Sequence, residues 1–169
     1  MFQDCTNLIV PPQLPATTLA SNCYRDMFRE CTSLSSIPVL PATTLAPSCY
    51  FNMFYHCTSL TFLPYYSIIA ATPGLADSCY YGMFEGCTSL TDSPILPASA
   101  GLVTNCYARM FNGCDRLTAL HVNAPSSQLI NTNYTSNWLT RNQHPDITLY
   151  NTSMWDDLKD QNGEYFYFN

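Results

Sequence analysis

Residues 27–60 read MFRECTSLSSIPVLPATTLAPSCYFNMFYHCTSL, opening and closing on nearly the same word, MFRECTSL and MFYHCTSL. The word M-F-x-x-C-x-x-L recurs at Met1–Leu8, Met27–Leu34, Met53–Leu60, Met83–Leu90 and Met110–Leu117, in steps of 26, 26, 30 and 27 residues. A second half-word recurs with it: Leu19, Leu45, Leu75 and Leu102 precede Cys-Tyr pairs at Cys23, Cys49, Cys79 and Cys106. Self-similarity at this period marks a stacked array, in which no unit buries its apolar face alone and neighbours share one core.

Within a unit, Leu19–Cys31 (LASNCYRDMFREC) places Leu19, Cys23, Met27 and Cys31 within about 120° at helical pitch, flanked by Tyr24 and Phe28. Ser21, Asn22, Arg25, Asp26 and Arg29 point the other way. This predicts an amphipathic helix of about three turns, and Pro47 falls where the first helical turn of the next unit tolerates it. The remainder, TSLSSIPVLPATT, predicts a short extended segment or strand. A proline column at Pro12, Pro38, Pro64 and Pro94 limits its ladder.

Units of this length with a strand and a helix resemble leucine-rich repeats. The pattern MF-x-x-C-TSL, followed by prolines and ATTLA, is similar to the BspA-like leucine-rich repeats, with Met-Phe where that family usually has Ala-Phe. The resemblance spans about residues 1–124. It implies a curved α/β solenoid with a parallel sheet on its concave side. It also implies a surface or secreted protein of gut or oral bacteria, or of their phages, that binds host proteins or other cells. The family brings no catalytic residues. The expected organisation is a solenoid over 1–124 and a C-terminal capping region over 125–169, because the repeat stops after Leu117 and both tryptophans, Trp138 and Trp155, lie beyond it. The cap is expected to hold a short helix containing Trp138 and Leu139, with strands at Ile147–Tyr150 and Tyr165–Phe168.

Only 11% of residues are charged, the net charge is −6, and Lys159 is the single lysine. There is no basic footprint for nucleic acid, and no apolar run reaches the ~18 residues of a membrane span. The N-terminus lacks the basic start and apolar core of a signal peptide. The chain opens inside a repeat word, which reads as a piece of something longer whose targeting signal would lie upstream.

Eight of nine cysteines form pairs eight apart: Cys23/Cys31, Cys49/Cys57, Cys79/Cys87 and Cys106/Cys114. On a helix that spacing is about 12 Å of rise, beyond the ~7 Å limit for a disulfide. Helices in adjacent units would lie about 8–10 Å apart, also too far. Zinc sites favour closer spacings such as C-x2-C. The eight are therefore read as two columns of buried structural thiols, with disulfides and metal binding as the less favoured alternatives.

His56 beside Cys57 suggests a Cys-His nucleophile, but position 56 is Glu30, Gly86 and Gly113 in other units, so it reads as a variable surface site. His121 and His144 have no ligand partners at telling spacings and read as solvated or capping residues. NYT (133–135) and NTS (151–153) fit the glycosylation pattern at a rate chance allows. The insertion YYSIIAATPG in the third unit gathers aromatic groups. Phe62, Tyr65 and Tyr66, with Asp92 in the column of Phe62, are the candidate partner-binding residues; the alternative is that the insertion folds over a local apolar pocket.

The sequence thus predicts a non-enzymatic scaffold without cofactor or metal, extracellular or on a cell surface, that presents a repeat surface to a protein or glycan. A structural spacer or virion component is the alternative, and an enzyme is disfavoured. Thiol titration of the denatured native protein is expected to find nearly all nine thiols free; fewer than half would overturn the buried-thiol reading.

Overall fold

The computed structural model describes residues 1–61, 74–96, 101–122, 132–139 and 148–150. The units stack as expected of a repeat, but the segment predicted to be helical is not a helix. Residues 21–30, and their counterparts in later units, are a run of tight turns. Every fourth residue has a positive φ: Asn22, Asp26 and Glu30, then Ser48, Asn52 and His56, then Ser78, Gly82 and Gly86, then Asn105, Arg109 and Gly113. An α-helix excludes that conformation, which costs most L-residues about 1–2 kcal/mol and is tolerated by Gly, Asn and Asp. The chain meets the constraint mainly with those residues and Ser.

The backbone hydrogen bonds explain why the strain is kept. Alternate N–H groups close turns three residues back, as from Cys23 to Ala20, Arg25 to Asn22 and Met27 to Tyr24, at 3.2–3.3 Å. The N–H groups between them cross to the next unit. Asn22, Tyr24, Asp26, Phe28 and Glu30 donate to the carbonyls of Pro47, Cys49, Phe51, Met53 and Tyr55 at 2.8–3.1 Å. The same scheme joins each later pair of units. Every N–H from Asn22 to Glu30 thus has a partner, as a buried backbone requires. These segments are called rungs here.

Rungs linked by direct backbone bonds sit at ladder spacing, about 4.8 Å apart, rather than at the 8–10 Å of packed helices. Equivalent side chains therefore stack on their own kind. Phe2, Phe28, Phe54, Phe84 and Phe111 form one column of parallel rings with centroids 5.5–5.8 Å apart. Tyr24, Tyr50, Tyr80 and Tyr107 form a second, at 5.6–5.9 Å. Met27, Met53, Met83 and Met110, and Leu34, Leu60, Leu90 and Leu117, continue the core beside them.

The extended half of the unit supplies the opposite side. Strands β1 (Asp92–Leu96) and β2 (Ala119–Val122) pair in parallel, with an irregularity between Asp92 and Ile95, and β3 (Thr148–Tyr150) pairs in parallel with β2. Earlier units are joined there by a Thr18–Thr44 bridge and by single bonds, Ser35 N to Ile9 O and Thr91 N to Thr61 O. Hydroxyls reinforce this seam: Ser35, Thr91 and Thr118 each donate to the same carbonyl as their own N–H, at 3.0–3.3 Å.

The turn ladder runs past residue 124. Tyr107, Arg109 and Phe111 donate to Tyr134, Ser136 and Trp138, and Asn137 has the positive φ of its column. Trp138 is fully buried at the end of the methionine column. Among the described residues the tail's helix, α1, is only Thr132–Thr135; Trp138 and Leu139 follow it in bends. The predicted strand at Tyr165–Phe168 lies outside the described residues.

Glycine is required at Gly86, where φ is +73° and an added Cβ would fall 1.9 Å from the His56 ring. Gly86→Ala is expected to lower stability by more than the ~1–2 kcal/mol of its backbone strain alone; adding His56→Ala should recover the steric part only. Glu30, at φ 61°, is the converse. Glu30→Gly should stabilise by roughly 0.5–1 kcal/mol, the strain relieved less the unfolded-state entropy of glycine. Denaturant melts of the three variants check both signs.

Candidate functional site

Because the rungs are in register, each outward position forms a column, and these columns vary while the interior ones do not. One runs Arg25, Phe51 and Tyr81 and closes on the buried Ala108. Another runs Arg29, Tyr55, Glu85, Asn112, and the positive-φ column beside it runs Glu30, His56, Gly86, Gly113. The Arg25 guanidinium lies 4.2 Å over the Phe51 ring, which stacks on Tyr81 at 4.6 Å. The Arg29 guanidinium lies 4.6 Å over Tyr55, and Tyr55 stacks on His56 at 4.2 Å. Such cation–ring contacts are worth about 0.5–1 kcal/mol at exposed sites. They hold each guanidinium over a ring of the next rung.

Further along the same face, Glu85 is buried beneath Arg109. Arg109 donates Nε–H at 2.9 Å and also bonds through its second nitrogen, and Asn112 Nδ2 donates at 3.0 Å. The Glu85 hydrogen bonds push the Arg109 guanidinium above its ordinary value. Bare backbone at Gly82 makes this possible, because a Cβ there would fall 2.3 Å from Asn52 Oδ1 and 3.3 Å from Glu85 Oε2. The face therefore passes from cationic and aromatic at Arg25 and Arg29 to a closed ion pair at Glu85–Arg109.

The thiols lie on the inner side. All nine are free, and seven of the eight expected to be buried are so: Cys31, Cys49, Cys57, Cys79, Cys87, Cys106 and Cys114. Cys23 departs from the expectation and is exposed. The argument that neighbouring units are too far apart for disulfides does not hold at ladder spacing. What the structure shows instead is a hydrogen-bond role. Cys31, Cys57, Cys87 and Cys114 point Sγ at the carbonyls of Phe2, Phe28, Phe54 and Phe84, at 2.9–3.2 Å. Burial pushes the thiols up, to about 11 for Cys49 and Cys106 and about 12 for Cys57. That suppresses the reactive thiolate.

His121, read from the sequence as solvated or capping, is buried on β2. Its Nε2 lies 2.9 Å from Asp92 Oδ1, and its backbone N–H donates to Ser93 Oγ at 2.8 Å. A serine, a histidine and an aspartate thus meet, but Ser93 Oγ is held by the His121 backbone and Pro94 O rather than by the imidazole. That geometry fixes strand register and does not activate a hydroxyl, which needs the imidazole as its base. Asp92, one of the candidate binding residues, spends a carboxylate oxygen on this pair. Phe62, Tyr65, Tyr66 and His144 lie outside the described residues. Among the described residues no group of three or more His, Cys, Asp or Glu side chains is arranged to hold a metal ion, and no helix is long and apolar enough to cross a membrane.

Sequence reasoning placed Arg25 and Arg29 on the outer side but overlooked Phe51, Tyr81 and Tyr55. The signal was the substitution of rings for arginines in columns that face out. Comparison with protein-family models, with curated proteins and with solved structures found no match.

The thiols and tyrosines give a pH dependence. Burial raises the folded-state values of the seven buried thiols, and of Tyr50, Tyr80 and Tyr107. Their contribution is complete below the unfolded thiol pKa near 8.5 and is lost as pH rises through about 11 and about 12. Each buried thiol costs ~1.4 kcal/mol per pH unit in that window, so several together exhaust a typical stability within roughly two units. Circular dichroism at increasing pH should show cooperative unfolding at about pH 10–11. A fold unchanged at pH 11 would contradict the burial of the columns.

Proposed function

We propose that the protein is a non-enzymatic binding scaffold whose turn-ladder face is presented to a protein or glycan partner. The observation that carries this is the contrast between constant inner columns and variable outer ones on the same ladder. Phe, Cys, Met and Leu repeat rung after rung inside, whereas Arg25, Phe51 and Tyr81 succeed one another outside, in a column that closes on the buried Ala108. Packing explains the first set. A fixed frame carrying different groups at equivalent points is the arrangement that recognition uses, with arginine and aromatic anchors as the typical energetic centres. The aromatic insertion with Phe62, Tyr65 and Tyr66 is the second candidate for partner contact, on its sequence alone. The resemblance to BspA-like leucine-rich repeats supports an extracellular or cell-surface setting and an adhesive role. A structural spacer, including a virion component, is the second reading, favoured by the self-sufficient ladder, which needs no ligand to hold it.

A panel of host matrix proteins, mucins and glycans over immobilised protein separates these readings. Saturable binding to one of them, weakened at least tenfold by Phe51→Ala with Tyr81→Ala or by Tyr65→Ala with Tyr66→Ala, is the expected result. The melting temperature of each variant should stay within a few degrees of the parent's. Silence across the panel would favour the spacer.

A further inference from the structure

One exposed set of positions departs from the variation of its neighbours. After each run of tight turns the chain makes one turn more, at Cys31–Leu34, Cys57–Leu60, Cys87–Leu90 and Cys114–Leu117. The leucine N–H closes it on the cysteine carbonyl at 3.0–3.2 Å. Three successive units place Thr-Ser at its corner: Thr32-Ser33, Thr58-Ser59 and Thr88-Ser89. Packing does not explain that constancy, because all six residues are exposed or half-buried. Turn geometry does not explain it either, because the same turn closes at 3.0 Å over Asp115-Arg116. Nor do internal hydrogen bonds. Among the described residues none of the six hydroxyls has a partner, whereas Ser35, Thr91 and Thr118, just past the turn, spend theirs on the seam. Descent from one ancestral unit does not suffice, since other exposed positions of these units have diverged, to Arg25, Phe51 and Tyr81 in one column and to Glu30 and His56 in another.

We propose that these hydroxyls form a binding line for an uncharged, extended polysaccharide lying along the stack. Backbone bonds hold the turns in register from both sides: His56 N–H to Glu85 O at 2.8 Å before the turn, and Thr91 N–H to Thr61 O at 3.2 Å after it. The corners therefore follow one another at ladder spacing, about 4.8 Å. Each corner offers two hydroxyls, and each hydroxyl both donates and accepts. None of the six residues is charged, so a charged partner would lose hydration there without gaining an ion pair. A neutral sugar polymer matches on both counts. Its own hydroxyls donate and accept, and in an extended chain each sugar advances by about one ring length, close to one rung. An extended peptide laid the same way does not match. Its same-side groups recur every ~6.6 Å, out of step from the second rung. The threonine methyls add an apolar contact for the C–H edges of the sugars, and Asp115 and Arg116 end the uncharged line. This surface is separate from the variable face of Arg25, Phe51 and Tyr81, and neither depends on the other.

Isothermal titration calorimetry of the whole protein tests this with cellohexaose, mannohexaose and chitohexaose, and with hexagalacturonate as the charged counterpart. The expected result is saturable binding of at least one neutral hexaose, at least tenfold weaker for the corresponding disaccharide, which spans fewer rungs. Thr58→Asp with Ser59→Arg interrupts the middle of the line with the pair that the fifth unit already carries in the same turn. It is expected to weaken binding at least tenfold while the melting temperature stays within a few degrees of the parent's. Thr58→Val with Ser59→Ala, which removes the hydroxyls without adding charge, is expected to do the same. Phe51→Ala with Tyr81→Ala should leave this binding unchanged. No binding of any neutral hexaose up to millimolar concentration overturns the proposal. So does hexagalacturonate binding as tightly as the neutral sugars, or full affinity in both Thr58/Ser59 variants. Affinity lost in Phe51→Ala with Tyr81→Ala alone would put the sugar on the variable face, and overturns this line while leaving that face as the binding site.

Discussion

A left-handed residue at every fourth position is the constraint on which the rest of this structure depends. It turns the chain often enough that alternate N–H groups close turns while the others project along the stack. Remove it and the segment reverts to the helix its apolar spacing permits, with all its hydrogen bonds kept within the unit. Units would then pack through side chains at helix-packing distances. With it, they are joined backbone to backbone, and the column stacking follows.

Column stacking in turn explains the composition. At ladder spacing each interior position sees itself above and below, so a flat ring that stacks on its own kind suits it. Four phenylalanines and three tyrosines are almost wholly buried in this way. Parallel ring pairs add about 0.5–1.5 kcal/mol each beyond their burial. Cysteine fits the neighbouring columns for two reasons. It is small and apolar, and in the column of Cys57, Cys87 and Cys114 its S–H reaches a phenylalanine carbonyl one rung back. Alanine would match the size but not supply that donor. The residues that looked most reactive in the sequence are thus the most thoroughly protected, and chemical variety is pushed to the outer columns.

The repeat, its register and the inner columns were legible in the sequence because recurrence does not depend on knowing the conformation. The conformation itself was misread, and the reason is geometrical. Residues four apart drift about 40° per step on a helix, so Leu19, Cys23, Met27 and Cys31 fill a 120° arc that looks like an apolar face. That arc is the accumulated error of fitting a period of four to one of 3.6. The correcting signal was the recurrence of Asn, Asp, Ser and Gly at the same interval, at Asn22, Asp26, Ser48, Asn52, Ser78, Gly82, Gly86, Asn105 and Gly113. Arg25 and Arg29 were placed outward correctly, since both schemes put them there. Their ring partners Phe51 and Tyr55 were missed, because at helical spacing equivalent residues of adjacent units would not touch. The Asp92–His121 pair was invisible for a related reason: nothing local announces a contact across parallel strands 29 residues apart.

The single sense of the ladder bonds has an electrical side. In an ordinary sheet the strand dipoles largely cancel. Here the peptide units that bridge the rungs all point the same way along the stack. Their dipoles add head to tail, as they do along an α-helix, but across the interfaces between chain segments, five among the described residues, rather than along one segment. The negative sense of this axis points toward Met1, the side on which Arg25 and Arg29 lie, and the positive sense toward Trp138. Each further rung would lengthen this axis without changing its sign, so the stack is polarised by its architecture as well as by its side chains.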